Sequence, residues 1–239
     1  MRENRAGNFY NHGTIPRKVC SAGDVGVKQR FREPVSGLLH LAGAVLAVFG
    51  LFWLLHRAAG DPPRVASVVV YGVSLILLFT ASSVMHLYNG SRRTIDVLNR
   101  LDHAAIYLLT AGTYTPVCVN VLEGGWGAGL LAAVWALAAV GVVYKLVVGP
   151  GRRSTTRSTL LYLAMGWLAV VAIPKLIEAL PLPALVLIAA GGLAYTIGAI
   201  VYLFDDPDVR PTFGLHEIWH LFVLAGSGFH FAAISVFVI

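Results

Sequence analysis

The chain has 239 residues, of which 57% are hydrophobic and only 13% charged, with a formal net charge of +6. Soluble domains carry about 25% charged residues, so this composition belongs to a polytopic membrane protein and excludes an ordinary soluble enzyme. The basic residues fall between apolar runs, where they orient helices in a bilayer and build no face for nucleic acid.

In chain order, residues 1–34 are polar and aperiodic and read as a flexible tail, with a short interfacial helix near 27–31. No cleavable signal stretch is evident, so the first apolar run is expected to direct insertion. Cys20 in the tail and Cys118 in an apolar run are too far apart to suggest a disulfide. Seven apolar stretches follow, at about 35–55, 65–87, 101–122, 126–148, 159–177, 184–204 and 215–239. Each approaches the roughly 20 residues needed to cross a bilayer as a helix. Gly, Pro and charged residues punctuate the breaks, from Gly60-Asp61-Pro62-Pro63 to Asp205-Asp206-Pro207-Asp208. The expected fold is all-α: a single seven-transmembrane-helix bundle over 35–239, with a tight hairpin between the third and fourth helices.

Of the 18 Lys and Arg residues, only Arg57, Arg64 and Lys175 fall on one side of this arrangement. The tail and the second, fourth and sixth breaks carry the others. The positive-inside rule then places the N-terminus in the cytoplasm and the C-terminus outside, as expected for an inner (plasma) membrane protein.

On that topology Glu33, His40, His86, Asp102, His103, His216, Glu217 and His220 all gather at cytoplasmic helix ends, with only His56 and His230 elsewhere in the apolar part. Ionisable residues inside a membrane are costly and mark function. His216 and His220, spaced i, i+4, share one helix face, and with His86 they supply three imidazoles and leave a coordination place for water. Such an open site is the catalytic arrangement of zinc. Ser82 lies one turn before His86 and faces the same way, within reach of water or a substrate oxygen. Asp102 is placed to orient or deprotonate water. The plainer alternative is that these histidines bond backbone carbonyls or lipid headgroups at the interface.

His216-Glu217-Ile218-Trp219-His220 also spells H-E-x-x-H, the metalloprotease pattern in which the Glu is a general base. The only downstream donor, His230, is ten residues on, about 15 Å along the helix. That is too far to share an ion, so the third ligand comes from upstream, against the protease reading. Glu217 points about 100° away from His216 and reads as facing headgroups or supporting a ligand.

Four motifs in order resemble the hemolysin III proteins of bacteria, in the progestin and adiponectin-receptor superfamily. They are Glu33-Pro34-Val35-Ser36-Gly37-Leu38-Leu39-His40, Ser82-Ser83-Val84-Met85-His86, Leu101-Asp102-His103-Ala104-Ala105-Ile106 and the His216–His220 segment. The resemblance implies seven helices with the N-terminus inside and Zn²⁺ held by His86, His216 and His220. It also implies that Asp102 reaches the metal through water, with Ser82 nearby. The receptor branch implies amidase activity on ceramide, whereas the bacterial branch carries a haemolytic or pore-forming label and a role in membrane homeostasis. The long N-terminal domain of the receptors is missing, so hormone recognition does not transfer.

The leading expectation is a zinc-dependent hydrolase of a lipid amide or ester, with membrane lipid as its partner. Its rival is a non-enzymatic haemolysin, channel or membrane sensor in which zinc staples helices. The remaining features read as structural. Gly191, Gly192, Gly198, Gly226 and Gly228 permit close helix contact. Thr110, Thr113 and Thr115 satisfy backbone around Pro116, and Tyr88, Trp126 and Trp167 are interfacial or packing aromatics. Glu33 either accepts from a ligand imidazole or pairs with Arg32, and His40 supports the site.

Overall fold

The computed structural model describes residues 30–122, 124–205 and 213–239. The expected interfacial helix near 27–31 falls largely outside them. The described residues form α1 (Pro34–Ala58), α2 (Pro62–Leu87), α3 (Arg92–Asn120) and α4 (Gly124–Val148), then α5 (Arg152–Trp167), α6 (Ile173–Ala179), α7 (Leu182–Leu203) and α8 (Leu215–Ala233). A 3₁₀ segment, Leu168–Ala172, joins α5 to α6, and a π-helical turn, Ile234–Val238, follows α8.

The helix starts follow from local chemistry. Pro34 and Pro62 sit at helix openings, where their missing N–H costs no hydrogen bond. Gly60 takes φ +91°, a left-handed conformation that reverses the chain after α1. Asp61 then caps α2 by accepting from the Arg64 N–H at 3.2 Å. Ser91 caps α3 in the same way, accepting from the Thr94 N–H at 3.2 Å. That cap starts α3 at Arg92 rather than near 101, so Arg92, Arg93 and Arg100 extend the helix and do not form a loop.

The expected fifth span, 159–177, is not one regular helix. Pro174 has no N–H to give to the carbonyl four residues earlier, and the chain passes through a 3₁₀ segment just before it. Tyr114 of α3 compensates at this break. Its hydroxyl accepts from the Ala169 N–H at 2.8 Å and lies 2.6 Å from the Gly166 carbonyl, to which it donates. In lipid such freed backbone groups must be satisfied by protein.

Among the described residues, six helical segments are long and apolar enough to cross a membrane: α1, α2, α4, the broken run 153–179, α7 and the final run 215–238. The chain is a multi-pass membrane protein built as a helical bundle. α3, although 29 residues long, is not among the six. Asp102, His103, three threonines and two tyrosines dilute its apolar stretch. They can do so because α3 lies inside the bundle against α2, α4 and α5, with both ionisable residues buried. Phe49, Phe52, Val147 and Leu182 point outward, as suits a surface solvated by lipid.

Neighbouring helices pair as α1–α2, α2–α3, α3–α4 and α7–α8, and α1 meets α8. Of the glycines expected at helix contacts, Gly191, Gly198 and Gly226 touch His230, Phe222 and Tyr195, whereas Gly192 and Gly228 face open space. Thr110, Thr113 and Thr115 of α3 donate to the carbonyls of Ile106, Leu109 and Ala111, as expected.

Candidate metal centre

His86 ends α2, and His216 and His220 open α8, so two helices distant in sequence meet through these rings. One ligand atom from each of the three lies within 4.8 Å of the other two, an arrangement that could hold a metal ion. His86 and His220 are buried and His216 partly so.

The hydrogen bonds around the rings are ordered in one direction. His86 Nδ1–H donates to Glu33 Oε2 at 2.5 Å, and His216 Nδ1–H donates to Asp205 Oδ2 at 3.0 Å. His220 Nδ1 lies 2.7 Å from His40 Nε2 and donates to it in the tautomer that leaves its own Nε2 as a lone pair. Carboxylates accept only, so the His86 and His216 tautomers follow from their partners. The Nε2 atoms of His86 and His216 are therefore left as acceptors, joined in that tautomer by Nε2 of His220.

Those acceptors suit a cation. The Nε2 atoms of His86 and His216 are 3.4 Å apart, and His220 Nε2 is buried with no hydrogen-bond partner among the described residues. Two nitrogens bound tetrahedrally at about 2.0–2.1 Å lie roughly 3.3–3.4 Å from each other. Lone pairs held at that separation repel unless a positive charge sits between them, and an orphaned buried acceptor is otherwise expensive. The donor set and its Nδ1 partners, a carboxylate on two rings and His40 on the third, thus fit a metal.

Ser82 and Asp102 lie together beside this cluster, both buried. Both face a cavity of about 530 Å³ that runs inward from the site, and His40 also lines it. Away from that end its walls are mostly apolar, from Leu78 and Ile106 to Leu185 and Ile234. The volume falls in the ~300–1,000 Å³ range of small-molecule pockets.

The remaining candidates divide by what they touch. Both alternatives for Glu33 hold, since it accepts from His86 and also from Arg32 Nη2 at 3.3 Å. His40 supports His220. His103 turns away from the cluster, with Nδ1 2.8 Å from the Asn99 carbonyl and Nε2 2.9 Å from the Tyr202 hydroxyl. Glu217 is buried and faces no headgroup. It accepts from Ser36 Oγ at 2.7 Å and from the Gly214 N–H at 2.8 Å, tying the start of α8 to α1. His230 lies outside the three-histidine cluster, as its spacing requires.

Two residues escaped the sequence reading. Asp205 sits in a break where no periodicity indicates which way an acid points, and the only signal is its place in an acidic run close to His216. Lys145, counted there as a loop charge that orients the bundle, lies in α4 and is fully buried with Nζ unpartnered. Its ammonium and the Asp102 carboxylate act on each other through the interior.

Residues 28–231 match the family described as Haemolysin-III related. The chain is 39% identical to Hemolysin-3 of Bacillus cereus over 209 residues, covering 87% of this chain and 92% of the relative. It is 36% identical to the Hemolysin-3 homolog of Bacillus subtilis, covering 82% and 89%. The human Monocyte to macrophage differentiation factor is 28% identical, covering 76% and 74%. A helical membrane bundle with its histidines gathered from two distant segments, joined to these matches over most of the chain, identifies a member of the haemolysin III family.

Proposed function

We propose that this protein is a zinc-dependent membrane hydrolase of a lipid amide or ester. In this reading α3 is a seventh span, the N-terminus is cytoplasmic and the C-terminus outside, and the site opens toward the cytoplasmic leaflet of the plasma membrane. His86, His216 and His220 hold Zn²⁺, which when bound supplies Lewis acidity and acidifies water. Neutral imidazole donors favour zinc among the common cellular divalent ions.

The chain's own residues divide the remaining work. Asp102 accepts the proton of the attacking water. Ser82, buried beside Asp102, steadies an oxygen that gains charge. The cavity takes the apolar part of the lipid and excludes bulk water from the reacting carbonyl. The observation that carries the reading is that Ser82, Asp102 and His40, the partner of His220, all line the apolar cavity beside the three-histidine cluster.

The test is turnover of lipid amides and esters by purified, zinc-replete protein, alongside Asp102→Asn and Ser82→Ala. Both variants are expected to keep the metal and the fold. Asp102→Asn should lose activity by at least about 100-fold, the lower end of what general-base catalysis supplies. Hydrolysis that survives Asp102→Asn would remove Asp102 from the mechanism, and no hydrolysis of any lipid class would sink the enzyme reading.

A second reading has its own support. His86 closes α2 and His216 and His220 open α8, so a bound ion would tie together two helices distant in sequence. The names of the Bacillus relatives point to lysis. In that case zinc is a structural staple in a lytic or membrane-sensing protein. Liposome leakage caused by the wild type and lost in His220→Ala, without hydrolysis of any lipid, would favour it.

A further inference from the structure

His230 is a histidine deep in the apolar part of the bundle that the metal centre does not use. It sits in α8 ten residues beyond His220, about 15 Å further along the helix axis. Its ring lines the same cavity as Ser82 and Asp102. No side-chain hydrogen bond among the described residues involves it, so a group in the cavity it lines is free to pair with the ring.

The ring is held in place from two sides. The Tyr195 ring stacks on it with centroids 5.6 Å apart and an 18° angle between planes, and the Tyr195 hydroxyl is fixed 2.8 Å from Ser227 Oγ. On α7, Gly191 leaves the space the imidazole occupies, since a Cβ there would come within 2.7 Å of His230 Cδ2 and Nε2. An ionisable side chain in a membrane interior is costly and calls for a polar partner. Here packing fixes the ring, and a hydrogen-bonding partner for it can come from whatever fills the cavity it lines.

We propose that His230 forms a polar subsite within the cavity and reads a hydroxyl, or a comparable hydrogen-bonding group, partway along an otherwise apolar acyl chain. A neutral imidazole offers one donor and one acceptor, the pair a hydroxyl matches. An extended chain of single bonds advances about 1.2 Å per bond, so the group lies roughly twelve bonds below the carbonyl at the metal end. The inference rests on the proposed placement of a lipid with its carbonyl at the histidine cluster and its chain in the cavity. It does not require that the lipid be cleaved.

The experiment measures binding. Full-length, zinc-replete protein in nanodiscs is titrated with radiolabelled stearate, 12-hydroxystearate and 3-hydroxystearate. The wild type is expected to prefer 12-hydroxystearate over stearate by about threefold to tenfold, the worth of one hydrogen bond, and to show no such preference for 3-hydroxystearate. His230→Phe keeps the stacked ring and removes the nitrogens. It should bind stearate as the wild type does and lose the preference, while His230→Gln should keep part of it.

Equal affinities for the two long-chain probes in the wild type, a preference that survives in His230→Phe, or no binding of any probe would each overturn the subsite. Hydrolysis without the preference defeats the subsite alone. The preference without hydrolysis defeats the enzymatic reading alone.

Discussion

Glu33 and His86 are joined twice. The imidazole Nδ1–H donates to the Glu33 carboxylate at 2.5 Å, and the Glu33 backbone N–H donates to the His86 carbonyl at 2.9 Å. The segment before α1 is thereby fixed to the end of α2, and the His86 ring is turned with Nε2 toward His216.

Because carboxylates hold two of the three rings, metal affinity should depend on residues that never touch the metal. Glu33→Gln and Asp205→Asn are each expected to weaken zinc binding by about 10–100-fold. Competition with a chromophoric chelator measures this. Unchanged affinity in both variants would show that the rings are oriented by packing alone.

Glu217 offers a test against a protease-like role. Its oxygens accept from Ser36 and Gly214, so Glu217→Gln exchanges one acceptor for a donor in a buried place. The expected cost is about 1–3 kcal/mol of stability with zinc content intact, and Ser36→Ala should lose part of the same stability. Full stability with turnover abolished would restore Glu217 as a general base.

Lys145 should act in two directions. An unpartnered buried ammonium is expensive, so Lys145→Met is expected to stabilise the fold by about 1–3 kcal/mol. It also removes a positive charge that acts on Asp102, and lipid hydrolysis should fall while zinc content stays the same. Thermal unfolding in detergent, zinc analysis and turnover on one preparation separate these effects. A destabilised variant would mean that Lys145 has a partner in the folded membrane protein.

Helix packing can be probed with two glycines of α4. A Cβ on Gly141 would lie 2.4 Å from the Tyr107 ring, whereas one on Gly129 meets nothing within 4 Å. Gly141→Ala should cost about 1–3 kcal/mol through overpacking. Gly129→Ala should be neutral or stabilising by up to about 1 kcal/mol through helix propensity. Equal behaviour of the two would argue against the close α3–α4 approach.

Much of the molecule is legible along the chain because lipid leaves the backbone few choices. An apolar run of bilayer length becomes a helix, and Gly60-Asp61-Pro62-Pro63 marks where one helix ends and the next starts. The i, i+4 spacing of His216 and His220 is equally readable, because one helix fixes their separation. α3 is harder, since a buried helix can carry polar residues that hydropathy counts against it. The extra turns before residue 101 are harder still, because capped polar helix and polar loop have similar composition.

By itself the sequence determined a membrane bundle of long apolar helices and pointed to the three histidines able to meet at one end of it. These are matters of composition and spacing within single segments. Only the tertiary structure decided that Glu33, Asp205 and His40 each hold one of those rings, that Glu217 anchors α8 to α1, and that Lys145 lies inside. Those outcomes depend on which faces of separate helices meet. A side chain's partner across a helix interface is set by packing and rotation about the helix axis, and neither quantity is written in the spacing of any one segment.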